Sequence, residues 1–200
     1  MAPLDPDGRV IGGVSTFLGF VALNAMYIVS VLPVVTIGAA TSALLEVTIR
    51  FSDDERGRPV ADYFPTFARN ARAATPVAFA LLAPMVALGF ASVFWFAYAD
   101  PWLTWLGVLG VIGVVYLFAA FLHAMALVAV YRDTVRRTLK NALLLPLAEP
   151  LRTAGLVVIP ATQLALCVVF PAYLVILVTV GVSVGAYISA FLFRGVHARY

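Results

Sequence analysis

A chain of 200 residues in which 63% are hydrophobic and only 12% charged, with a mean hydropathy of +1.01, carries more apolar surface than a water-soluble core of that size can hide. This excludes an ordinary soluble domain, and the single cysteine, Cys167, excludes an internal disulfide or a cysteine-based metal site within one chain. The net charge of +3 comes from arginine-rich loops mixed with acids, as in Asp53, Asp54 and Glu55 beside Arg56 and Arg58, a pattern suited to anionic lipid headgroups rather than to a nucleic-acid groove.

The apolar residues fall in blocks of about 20, the length a helix needs to cross a hydrocarbon core of about 30 Å. No even alternation suggests a barrel. The expected class is an all-α, polytopic transmembrane bundle in which residues 10–200 form one domain behind a short disordered lead, residues 1–9, with prolines at 3 and 6. Val10 to Leu32 is uncharged and too long for a signal-peptide core, so it is predicted to be a retained span. Pro33 lacks an N–H and biases Leu32 away from helical geometry, which predicts a turn over 33–37.

Val35 to Phe51 follows, short for a full crossing at 1.5 Å per residue. Its small residues, GAATSA, suit close helix packing. If it crosses, the chain has six membrane helices; if it only re-enters, five. Ser52 to Pro59 reads as a charged loop, and Val60 to Ala73 as an amphipathic helix at the interface, with Arg69 and Arg72 off its apolar face. Thr75 to Ala99 is the next span, kinked at Pro84, and Asp100-Pro101 makes a tight turn. Trp102 to Val130 is longer than the core requires and must tilt or project, and Trp95, Tyr98, Trp102 and Trp105 mark one interface as an aromatic belt. Tyr131 to Leu147 predicts a second amphipathic interfacial helix, and Leu151 to Phe170 and Ala172 to Phe193 a closing hairpin about Pro171.

All twelve basic residues other than Arg9 lie in the two long loops or at the C-terminus, and the turns at 33–37, 99–101 and 171 hold none. The positive-inside rule therefore puts the long loops and the C-terminus in the cytoplasm, and six spans put the N-terminus there too.

Ionisable or amide side chains inside spans are the candidate functional positions: Asn24, Glu46, His123 and Gln163. Each has a plain alternative. Asn24 and Gln163 serve equally as interhelical hydrogen-bond donors or as the lining of a path. His123, with no acid or cysteine at ligand spacing, suits a packed residue bonded to a neighbour. Glu46 precedes Arg50 by four residues, the favourable order for an ion pair. Gly181, Gly185 and Ser189 form a small-residue ridge for an internal crossing or a homodimer contact. Signatures of catalysis are missing: there is no Walker A lysine loop, HExxH, GxSxG or paired intramembrane carboxylates, and nothing calls for a cofactor. The expectation is a protein that is not an enzyme. Glu149 and Gly155 have the spacing of a permease coupling loop, but Pro150 and Leu151 replace the alanines that would follow the glutamate.

The run SVLPVVTIGAATSAL, the segment DYFPTFARNARAATPVAF and the later TLKNALLLPLAEPLRTAGLVV together resemble the YesL-like family of small bacterial membrane proteins, defined by a domain of unknown function. The similarity spans about Phe17 to Val158 and is strongest over Leu32 to Leu44. What it implies is a polytopic inner-membrane protein whose relatives are often associated with carbohydrate uptake, hence an accessory or regulatory subunit of a transport system. A stand-alone small-solute transporter or channel, with Asn24, His123 and Gln163 along its path, is the alternative. The resemblance brings no catalytic or ligand residue.

Overall fold

The structure, a computed structural model, describes the backbone of residues 6–54, 58–98 and 100–197 and the side chains of 13–53, 58–98 and 100–193. Every element among them is helical: α1 (Pro6–Val31), α2 (Ile37–Asp54), α3 (Pro59–Phe96), α4 (Pro101–Val130), α5 (Val135–Ala148), α6 (Pro150–Val169) and α7, residues 173–197, in which one stretch, Leu177–Gly181, is wound as a π-helix. Six described segments are long and apolar enough to cross a membrane: Gly13–Val31, Val34–Asp53, Pro59–Phe96, Pro101–Val130, Pro150–Val169 and Tyr173–Phe193. Residues 1–5 of the expected lead lie outside the described residues, and from Pro6 the backbone is already helical. Glu55, Arg56 and Gly57 of the charged loop lie outside them as well.

The turn at Pro33 forms where expected. Helix α1 stops at Val31, a 3-10 turn covers Val34–Thr36, and the Thr36 hydroxyl donates to the carbonyls of Ser30 (2.6 Å) and Pro33 (2.5 Å). The first of these bonds engages a carbonyl in the last turn of α1, where intrahelical donors run out.

Helix α2, the segment whose crossing the sequence leaves open, is the centre of the bundle. It is packed by α1, α3, α4 and α7, and from Ala39 to Thr48 every residue is buried. Its small residues explain the position. Ala39, Ala40, Ser42 and Ala43 expose nothing, and a Cβ built on Gly38 would meet Ala78 Cβ at 2.5 Å and the Ala74 carbonyl oxygen at 2.6 Å. Where lipid removes any hydrophobic drive between helices, such close backbone approach supplies the dispersion contacts that hold them together.

The two basic amphipathic segments both form helices, but neither stands alone. The first is continuous with the span after it, so that α3 is a single helix of 38 residues carrying Pro65, Pro76 and Pro84 in its interior. At 1.5 Å per residue it is about 57 Å long, so about half must extend past a 30 Å core. The second, α5, folds back along α4. Residues 131–134 make the turn, and the Tyr116 hydroxyl, far up α4, donates to the carbonyl of Leu143. Its buried face is Thr138, Ala142 and Pro146, spaced by four, and exposed Arg136, Arg137 and Lys140 lie off it. Glu149 then breaks the chain between α5 and α6 with its backbone at φ −129°, ψ 64°, and its carboxylate lies 3.8 Å from Arg152.

The surface is inverted relative to a soluble protein. Val86, Phe90, Leu109, Ile112, Leu164 and Val168 are all exposed, which suits contact with acyl chains. At one end of the bundle Tyr98, Trp102 and Trp105 stand out, Trp102 at 80% exposure, and the Asp100 carboxylate caps α4 by accepting from Trp102 N at 2.8 Å. Arg50, Arg58, Arg69, Arg72, Arg132 and the basic residues of α5 gather at the opposite end.

Candidate functional site

The four polar positions read from the sequence separate into two groups with different surroundings. Asn24 and Gln163 converge on the π-helical stretch of α7. A π-turn spreads the helix and leaves backbone groups without their usual partners, and in hydrocarbon each such group costs several kcal/mol. Asn24, fully buried, bonds three backbone groups at this stretch. Its Nδ2 donates to the carbonyls of Leu177 (3.1 Å) and Val178 (2.6 Å), while its Oδ1 accepts from Ser183 N at 2.9 Å. Gln163 Nε2 donates to the Gly181 carbonyl at 2.7 Å from the other side. The Ser183 hydroxyl ties the same turn to α1 through the Phe20 carbonyl at 2.9 Å. These amides are therefore structural ties, from α1 and α6 respectively, to a distorted segment of α7. The ridge Gly181, Gly185 and Ser189 is buried inside the chain, with Gly185 backed by the Gln163 amide, so it serves an internal crossing.

His123 is buried on α4, with Nε2 2.9 Å from Thr153 Oγ1 of α6 and its ring edge-on to Phe193 at 5.9 Å. It sits in a packed three-helix contact. An apolar chamber of about 310 Å³ lies nearby, between α1, α2, α3, α4, α6 and α7, and its wall includes Gln163 but neither Asn24 nor His123. Of the three polar residues, only Gln163 borders this chamber.

Glu46 is different. Helix α2 places it 4% exposed at the basic end, where the expected pair with Arg50 forms. Arg69 of α3 joins on the same oxygen, Oε1, and the second oxygen accepts from Asn70 Nδ2 at 2.8 Å. Asn70 also donates to Ser42 Oγ at 3.1 Å, so the carboxylate is held from α2 and α3 at once. Burying one carboxylate is costly unless its lone pairs are filled, and here both oxygens are engaged. The arginine side chains remain 51% and 40% exposed, and Arg69 Nη2 also lies 3.5 Å from the Thr66 hydroxyl.

Both arginines border a solvent-facing cavity of about 370 Å³, closed on the far side by the end of α4: Val128, Tyr131, Arg132 and Asp133. Asp133 Oδ1 lies 3.4 Å from Arg137. The cavity therefore carries three guanidinium groups against two carboxylates, one of them already shared with a cation outside. Sequence spacing exposed the Glu46–Arg50 pair because it is local. Arg69, Asn70 and Arg132 lie 23 to 86 residues from Glu46 along the chain, and only the α2–α3–α4 packing brings them together. No cluster of three or more metal-ligating side chains exists among the described residues.

No family model, curated protein or solved structure matches this chain. Its function must be argued from geometry.

Proposed function

We propose that the protein is a multi-pass membrane protein of the bacterial inner membrane, with both termini in the cytoplasm, which acts without catalysis as an accessory or regulatory subunit of an uptake system. The resemblance to the YesL-like family suggests carbohydrate as the cargo of that system. The observation that carries the reading is the basic end. Arg58, Arg72, Arg132, Arg136, Arg137 and Lys140 are exposed there, on α3, α5 and the segments that flank α3 and α4, whereas the intramembrane polar residues are taken up in helix-to-helix bonds. A cationic surface beside the bilayer favours anionic headgroups and an acidic partner protein alike. The apolar chamber beside Gln163 reaches neither Asn24 nor His123, which does not favour transport through the chain itself.

The test is photo-crosslinking in native membranes from a residue at position 144, whose leucine is 52% exposed on α5. Capture of a transport component by the wild-type surface, and its loss in Arg136→Glu/Lys140→Glu, is the expected result. Capture of no transport component, or equal capture by the charge-reversed chain, rules the reading out.

A further inference from the structure

The cavity at the basic end has a chemistry of its own, separate from the outward surface of α5. Arg50 and Arg69 each present five N–H donors in a planar fork, and each places Nη2 on a single Glu46 oxygen. One arginine would neutralise Glu46. The second is in excess by charge, and Arg132 adds a third cation on the opposite wall. Glu46 Oε2 is occupied by Asn70, and Asp133 draws on Arg137, so neither acid is positioned to quench all three. The carboxylate acts as an anchor: it fixes two guanidinium planes on two different helices before any ligand arrives. Such preorganisation reduces the ordering cost of binding.

We propose that this cavity binds a phosphate monoester group. Three guanidinium groups around about 370 Å³ suit an anion with three terminal oxygens, since arginine pairs with phosphate through parallel charge-assisted bonds. The volume falls at the lower end of ordinary small-molecule sites and holds a phosphate with a short polar or glyceryl body. Its place at the basic end of the bundle is open to two sources of the same chemistry, a lipid headgroup entering from the membrane and a soluble phosphorylated solute entering from water. The inference stands apart from the docking reading above, whose test turns on Arg136 and Lys140, outside the cavity, whereas this one turns on Arg132 inside it.

The experiment uses the full chain purified in detergent and in nanodiscs, with thermal stability and titration calorimetry as readouts. The probes are inorganic phosphate, glycerol 3-phosphate, and nanodiscs of phosphatidylcholine with or without phosphatidic acid, against chloride at matched ionic strength. Arg132 sits past the end of α4, outside the Glu46 network, so Arg132→Ala leaves the fold in place. A lost charged hydrogen-bond partner should weaken binding by about tenfold or more, Arg132→Lys should fall between, and Arg136→Ala, away from the cavity, should bind like the wild type. Stabilisation by soluble phosphates that depends on Arg132 identifies a soluble ligand; stabilisation by phosphatidic acid alone, with the same dependence, identifies a headgroup. Both support the site. No response to any probe overturns it, as does binding that ignores Arg132→Ala or that weakens equally in Arg136→Ala, which would mean diffuse surface charge.

Discussion

Replacing Gly38 by alanine tests whether close backbone approach at the centre of the bundle holds it together. The added Cβ would sit 2.5 Å from Ala78 Cβ, 2.6 Å from the Ala74 carbonyl oxygen and 3.1 Å from the Ala74 carbonyl carbon. Carbon atoms pack best at about 3.5–4.0 Å, so α2 and α3 must part by about 1 Å. None of the three opposing atoms is the end of a flexible side chain, so no rotamer change relieves the overlap. Overpacking of this kind costs about 1–3 kcal/mol, offset by up to about 1 kcal/mol from the higher helix propensity of alanine. Reversible unfolding in mixed micelles titrated with SDS reads the net loss as a lower midpoint. Gly19→Ala is the internal control, because a Cβ there meets nothing within 4 Å, and it should be neutral or slightly stabilising. If Gly38→Ala unfolds at the wild-type midpoint, or if Gly19→Ala is destabilised as much, the close crossing is not what holds α2 in the centre.

Asn24→Leu should lower stability by about 2 kcal/mol or more, since it strands the Leu177 and Val178 carbonyls and Ser183 N–H in a buried π-turn; hydrogen exchange localised to residues 177–183 is the specific readout. A double-mutant cycle of His123→Leu and Thr153→Val should give a coupling of about 0.6 kcal/mol, up to about 1.7, and a value of zero would mean that the 2.9 Å contact adds nothing. Glu46→Leu removes the acceptor of Arg50, Arg69 and Asn70, and should cost about 1–3 kcal/mol in the same SDS titration; the two arginines can turn to water, which keeps the loss below that of a fully buried pair.

Parts of this protein were legible in the chain for a plain reason: their causes are local. Blocks of apolar residues set the spans, Pro33 stops α1 because a proline nitrogen cannot donate, and Asp100-Pro101 starts α4 because the aspartate caps a helix that the proline can begin. The distribution of basic residues separates the two ends of the bundle before any packing is known. The polar candidates were legible only as positions. Asn24 and His123 stand out in an apolar run whatever they do, and their partners lie 153 and 30 residues away, beyond the reach of any spacing rule.

What the tertiary structure decided is where long-range packing chooses among locally equal options. Pro65, Pro76 and Pro84 do not end α3, because the contacts with α2 and α4 along its length outweigh the hydrogen bonds that the prolines remove. An amphipathic helix fits a membrane surface and a neighbouring helix equally well, and only the packing shows that α5 lays Thr138, Ala142 and Pro146 against the bundle. The π-turn of α7 has no local signature; it persists because Asn24 and Gln163 meet its open carbonyls from two other helices. The anchored arginines beside Glu46 have the same origin. Sequence alone gives a charged pair one helical turn apart, and the crossing of α2 with α3 and α4 turns that pair into one wall of a cavity.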